Sequence, residues 1–197
     1  MCESPRVDRL IVPLHHALEV VNRASHIHLR ACPCRAQNQP NLHEDLEVCL
    51  LFDAAPAEDL QTAREITKET ALTIIQSMAQ QGVVYNLFYL HESQVITEIC
   101  NCCGCCCRPL KRMMELEDYE RYERSSYLAV LDTERCTGCR ICETSCLFGA
   151  RECIEGTLLL HQDRCFGCGR CLAACPEQAI SLEQQADRGV PIPIDAL

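Results

Sequence analysis

Eight cysteines stand in two runs of one spacing, C-x2-C-x2-C-x3-C. The first run is Cys136, Cys139, Cys142 and Cys146. The second is Cys165, Cys168, Cys171 and Cys175, and it lies 29 residues later at every position, so the segment is an internal repeat. Three thiolates two residues apart let one tight loop wrap three irons of a cubane cluster. Glycines and backbone N–H groups of such a loop point at the cluster's sulfurs. The fourth cysteine, three residues on, starts a helix that leads away from its own loop.

This spacing resembles the two-cluster bacterial ferredoxins over roughly residues 126 to 183. The resemblance implies that Cys136, Cys139 and Cys142 hold one [4Fe–4S] cluster with Cys175. It implies that Cys165, Cys168 and Cys171 hold the other with Cys146. The second run ends in Cys175-Pro176 as in that family. The first ends in Cys146-Leu147, a departure that removes no ligand. Zinc is the competing reading, because C-x2-C pairs also build four-cysteine zinc sites. Zinc knuckles do not share a fourth ligand between two matched runs.

A second constellation stands upstream: Cys32 and Cys34 in A-C-P-C-R, Cys49, and then Cys100, Cys102, Cys103, Cys105, Cys106 and Cys107. Neighbouring side chains of an extended segment point apart. The last six therefore cannot all serve one four-ligand site. They bridge two centres, or ligate one and keep spare thiols nearby. Pro33 stiffens a turn that presents Cys32 and Cys34 together. Arg35 and Arg108 flank the two segments, where positive charge favours thiolate over thiol. The pair A-C-P-C-R and I-C-N-C-C-G-C-C-C resembles a class of anaerobe proteins that place such a module before a dicluster ferredoxin. That likeness implies at least one additional iron–sulfur cluster. Cys102-Cys103-Gly104 is also similar to the C-C-G of heterodisulfide-reductase-type domains, so a non-cubane or double-sized cluster stays in view. The competing reading is zinc, or thiols that only pack. Cys2 and Cys153 are isolated.

The elements that must carry these residues follow from periodicity. Pro13 to Ser25 reads as a helix with Leu14, Ala17, Leu18, Val21 and Ala24 on one face. His15 and His16 are its exposed residues. Ser25 to Ala31 alternates as a strand, with His26 and His28 on its polar face. Residues 36–45 read as a polar loop, and 47–53 as a short apolar run carrying Cys49. Residues 57–64 hold about one helical turn. Thr67 caps a helix to Gln81 with Ala71, Ile74, Ile75 and Met78 buried, and Gly82 ends it. Residues 83–99 form a hairpin that delivers the six-cysteine stretch. Residues 110–124 read as a helix. Residues 125–132, a hairpin over 155–163 and residues 178–182 supply the strands around the repeat. The tail from 183 to 197 is extended and clamps the N-terminal half.

The resulting fold class is α+β: a ferredoxin-like dicluster domain at the C-terminus after a small mixed helix/hairpin cysteine-rich domain. The expected divisions are 1–108, a connector at 109–125, 126–183 and a tail at 184–197. With 19 cysteines and no Trp, carbon alone makes a modest core, and metal is expected to staple the chain. Residues 1–10 have no apolar signal core, and no run reaches the roughly 18 apolar residues of a spanning helix. A cytoplasmic, reducing and anaerobic setting is expected. A net charge of −10 argues against nucleic acid and favours a redox partner with a basic docking face. No G-x-G-x-x-G after a strand and no P-loop appears, so no NAD, flavin or ATP site is visible. The leading expectation is electron transfer. A reductase acting through the N-terminal cluster, or a redox or gas sensor, is the alternative.

Overall fold

Alternation along the strands decides what each face of the main sheet carries. The computed structural model describes residues 6–37 and 43–190. Along them run β1 (Val7–Val12), α1 (Leu14–Arg23), β2 (Ile27–Ala31), α2 (Pro33–Gln37), β3 (Glu47–Leu51), α3 (Ala57–Leu60), β4 (Arg64–Ile66), α4 (Lys68–Gln80), β5 (Val84–Leu90) and β6 (Ile96–Cys102). Then come α5 (Arg108–Glu115), β7 (Glu123–Arg124), β8 (Tyr127–Leu131), α6 (Ile141–Ser145), β9 (Arg151–Ile154), β10 (Thr157–Leu160), α7 (Arg170–Ala174) and β11 (Ile180–Gln184). The class is α+β, as expected.

Seven strands form one mixed sheet in the order β4-β2-β3-β6-β5-β1-β7. Only the β1–β7 edge is parallel among these pairings. Leu10, Val12, Leu29, Val48, Leu50, Leu87 and Ile99 share one core with Ala17, Val20 and Val21 of α1 and Ala71, Ile75 and Met78 of α4. The residues between them in sequence take the other face, because strand side chains alternate. Arg30 pairs with Cys49, and Asn86 with Cys100. Leu50 pairs with Ile99, which sets Cys49 beside Cys100. The face away from α1 and α4 is therefore the one that carries cysteines.

The helix expectations hold with small changes. α1 starts directly after Pro13, whose missing N–H would have had no partner in the first turn. Thr67 caps α4 by accepting from the Thr70 N–H at 3.2 Å, and Gly82 lies at φ +65° after it. Ile74, expected in the buried stripe of α4, is only partly buried. The turn expected at Pro33 is instead the start of α2, with the Ala36 N–H donating to the Cys32 carbonyl. Residues 36 and 37 therefore leave the expected loop, and 38–42 lie outside the described residues.

The helix expected over 110–124 stops at Glu115. Glu117 takes φ +50°, and the Asp118 N–H turns back to the Met113 carbonyl. That left-handed residue ends the helix. The chain then enters a 3-10 turn at Tyr119–Arg121 and pairs with β1 through β7. The middle hairpin begins at Arg151, four residues before the expected 155. Cys2 and residues 191–197 of the expected tail also lie outside the described residues. Val190 does reach the N-terminal core.

The sequence repeat is a structural one. α6 and α7 begin at Ile141 and Arg170, again 29 residues apart, and β9 and β11 begin at Arg151 and Ile180. The strands cross between repeats: β8 pairs with β11, and β9 with β10. Each two-stranded sheet takes one strand from each copy. The core between them is small and rich in sulfur, holding Cys142, Cys165 and Cys171 among Leu128, Ala129, Ala150 and Ile180. No helix among the described residues is long and apolar enough to cross a membrane.

Candidate metal centres

Two small cavities lie inside the C-terminal repeat. One is lined by Cys136, Cys139 and Cys142 of the first loop and by Cys175. The other is lined by Cys165, Cys168 and Cys171 of the second loop and by Cys146. Each loop curls because residues in the left-handed region turn it: Gly138 and Arg140 in the first, Gly167 and Gly169 in the second. The short helices α6 and α7 then carry Cys146 and Cys175 out of their own loops. Both of these sulfurs accept a backbone N–H, from Ala150 and Ala179 respectively, at 3.3 Å. Such N–H donors favour a thiolate. The walls are otherwise apolar, with Leu131, Leu158 and Ile180 at the first cavity. Cys153, read from sequence as isolated, borders that same cavity.

Of the nine upstream cysteines, six form a ring on the open face of the main sheet. Cys49 and Cys100 sit side by side on β3 and β6, with sulfurs 3.7 Å apart. Cys102 follows Cys100 two residues along β6 and so shares its face. A turn over Gly104–Cys106 brings Cys107 back beside Cys102. Cys34 on α2 meets Cys107, and Cys32 closes the ring between Cys34 and Cys49. All of these six but Cys49 line a cavity of about 680 Å³ including its open mouth, with Cys103, Cys106, Phe88, Asn86 and Tyr122 also in its wall.

The ring carries its charge unevenly. Cys34 receives hydrogen bonds from Cys107 and Cys32 and from the Arg108 backbone N–H, which hold its thiol down to about 2. Cys32 is pushed up because it donates to Cys34, and Cys49 is pushed up by its hydrogen bond to Cys100 and by burial. Cys107 is pushed up to about 12: its bond with Cys102 favours the thiolate, but donation to Cys34 and burial outweigh it. Thiolates packed this closely repel, so only some ionise alone. A cation among them would let the rest ionise, and this donor set fits a soft thiophilic metal.

Polar groups at the mouth complete the site. The Cys100 sulfur donates to Glu98 at 3.0 Å, and Arg30 pairs with Glu98 at 2.7 Å and with Asp59. Sequence reasoning missed Arg30 and Glu98, because strand alternation alone does not reveal which polar residue faces a cavity. Arg35, one of the two arginines marked from sequence, is fully buried, whereas Arg108 is exposed and contributes mainly its backbone N–H.

Cys103, Cys105 and Cys106 form a second group with His43 at the border of the same cavity, with ligand atoms all within 4.8 Å of one another. His43 had no signal in sequence, being a single histidine in a polar stretch. His15 and His16 pack on Tyr127 rather than near either sulfur set, and His26 pairs with exposed Glu65.

The two halves meet around Ile11, Val84, Leu110, Met113 and Tyr122 on one side and Phe148 and Phe166 on the other. Cys102 and Cys107 of the ring and Cys146 and Cys168 of the second cavity border this one cluster. The Phe148 and Phe166 rings are 4.4 Å apart by centroid. Leu147, the departure at the end of the first run, has its role here. A Cβ on Gly104 would come within 2.7 Å of the Leu147 side chain, so Leu147 rests directly on the Cys103–Cys106 turn.

Residues 152–186, which include the second loop, match the LdpA Fe-S cluster-binding domain. A 47-residue stretch is 43% identical to one component of the ion-translocating oxidoreductase complex of Methanosarcina acetivorans. That stretch is 24% of this chain and 18% of the relative, so the chain spans under a fifth of that protein's length. Together with the cysteine sets, these likenesses identify an iron–sulfur cluster-binding protein.

Proposed function

We propose that the chain is an electron-transfer protein of three iron–sulfur sites in series. The C-terminal repeat is read as a ferredoxin-like dicluster unit. Cys136, Cys139, Cys142 and Cys175 hold one [4Fe–4S] cluster, and Cys165, Cys168, Cys171 and Cys146 hold the other. The observation that carries this is the pair of cavities, each lined by three sulfurs of one loop and the fourth of the other. Cys32, Cys34, Cys49, Cys100, Cys102 and Cys107 hold a further centre. Six thiols exceed the four of one cubane, which favours a double-sized or non-cubane centre there. Clusters of this kind supply one-electron transfer at potentials set by hydrogen bonds and solvent exposure.

The packing around the sites supports one order for them. The ring and the second-loop site share the Phe148–Phe166 cluster, so they are neighbours. The first-loop site is outermost, with Cys139, Arg140 and Ile141 exposed. A redox partner would dock there, and the acidic balance of the chain favours one with a basic face. A cytoplasmic, anaerobic setting accords with so many reduced thiols. A second reading, a reductase acting at the ring, is favoured by the open cavity and by Glu98 on the Cys100 sulfur, a carboxylate able to accept a proton beside the site.

The test is an iron and sulfide count with EPR on anaerobically prepared full-length protein. More than the roughly eight irons of two cubanes is expected. Cys146→Ser is expected to change the signal of the site held by Cys165, Cys168 and Cys171. An iron count of about eight or fewer refutes the third site, and a Cys146→Ser change confined to the first-loop signal refutes the crossed ligation.

A further inference from the structure

His43 Nε2 lies 3.0 Å from the Cys105 sulfur, although 62 residues separate them in sequence. Cys103 and Cys106 complete a group of four donor atoms with no pair more than 4.8 Å apart. Zinc held tetrahedrally at about 2.3 Å from sulfur and about 2.0 Å from nitrogen needs donors about 3.8 Å apart, which this spacing accommodates. We propose that His43, Cys103, Cys105 and Cys106 form a mononuclear Cys3His zinc site, separate from the six-thiol ring. This inference stands whether or not the ring holds iron, because it uses none of the ring's six sulfurs.

Two further observations point to a cation with thiolates here. The first is Arg35. Its side chain is fully buried, and among the described residues no carboxylate pairs with it. Its guanidinium donates to the Asp45 carbonyl at 2.8 Å and touches the Met78 sulfur, while its Nε has no partner. A buried charge needs an opposite one. The Arg35 charge acts on Cys103 and Cys106, although burial and the Cys103 sulfur push the Cys106 thiol up on balance. Three thiolates with a divalent cation leave one net negative charge, which the guanidinium cancels. Four protonated or neutral donors would leave Arg35 uncompensated.

The second is support around the histidine. The His43 ring also hydrogen-bonds the Gln81 side chain, just past the end of α4. A ligating histidine commonly has such a partner on its second nitrogen, which fixes the ring's orientation. The site also has a mechanical consequence. The Cys103–Cys106 turn is what places Cys102 and Cys107 opposite each other in the ring, and zinc would pin that turn to the 43–45 segment.

The experiment uses the full-length protein, isolated anaerobically, with zinc and iron counted by mass spectrometry and the zinc edge read by X-ray absorption. About one zinc per chain with three sulfurs and one nitrogen in its shell is expected. His43→Ala should weaken zinc more than about tenfold in a chelator competition, and Gln81→Ala should weaken it by about tenfold or more, with iron unchanged in both. His43→Cys should keep zinc and convert its shell to four sulfurs, which separates ligand loss from misfolding. A protein without zinc, a zinc shell lacking nitrogen, iron in place of zinc on these four residues, or iron lost in parallel with zinc on His43→Ala overturns the proposal. A low iron count with this zinc shell intact would refute the third iron site and leave the zinc site standing.

Discussion

Gly138 and Gly167 occupy the same place in the two copies of the repeat, and alanine should act on them very differently. Both lie in the left-handed region, at φ +71° and +66°. At each, a side chain costs about 1–2 kcal/mol for that conformation alone. A Cβ at Gly138 meets nothing within 4 Å. At Gly167 it would stand 2.3 Å from both the Tyr127 carbonyl oxygen and the Ser125 Oγ. Ordinary contact is about 3.5 Å, so the second loop or the start of β8 must retreat by roughly 1 Å. Retreat breaks the 3.0 Å bond from Ser125 Oγ to the Phe166 carbonyl. Overpacking of about 1–3 kcal/mol and a lost hydrogen bond of about 1 kcal/mol add to the conformational cost. Gly138→Ala should therefore cost about 1–2 kcal/mol, and Gly167→Ala about 3–6 kcal/mol. At about 2–4 °C per kcal/mol for a chain of this size, the two melting temperatures should differ by roughly 5 °C or more. Thermal unfolding of the iron-loaded proteins under anaerobic conditions, with the rate of iron loss to a chelator, measures both effects. Equal shifts at the two glycines would show that the second loop does not bear on β8 as described.

His15 and His16 both have pKa values lowered by burial against the C-terminal half, with Glu19 opposing, and His16 meets Tyr127 OH at 3.2 Å. The unfolded chain then binds protons that the folded one resists, so stability should fall as pH drops below about 6.5. A His15→Asn/His16→Gln variant should show a shallower fall between neutral and mildly acidic pH; parallel melting curves for the two proteins would refute the linkage. Leu147→Ala removes a half-buried contact and should cost about 1–2 kcal/mol. Gly104→Ala should be tolerated better in that background than alone, by about 1 kcal/mol in a double-mutant cycle. Additive effects would mean that the two residues do not touch.

The repeated cysteine spacing was legible as two matching loops, each followed by a short helix, because that geometry is set within about a dozen residues. The same holds for α1, α4 and the β5–β6 hairpin, whose periodicity and caps lie within one element. The N-terminal site was legible as a set of residues but not as an arrangement. Nine cysteines divide into six and three because β6 alternates up to Cys102 and a turn then reverses the chain. That turn is met by Leu147 and His43, which are distant in sequence. The helix expected through Arg124 failed for a related reason. Glu117 takes a left-handed conformation that its side chain does not advertise, and pairing of β7 with β1 draws the chain out of the helix. Arg30 and Glu98 looked like ordinary strand polar residues until the sheet order set them at a cavity mouth.

The exchange of strands between the two repeats has a consequence for synthesis. When the chain has been made as far as Leu160, β9 and β10 can pair, but β8 has no partner until Ile180 to Gln184 follow. Of the two sets of four sulfurs, the one that includes Cys146 waits for Cys171 and the one that begins in the first loop waits for Cys175. A ribosome-bound intermediate made as far as Cys168 therefore presents six of these eight thiols with neither set complete. A truncation between Cys146 and Cys171 should therefore leave both of the proposed sites incomplete at once, not one.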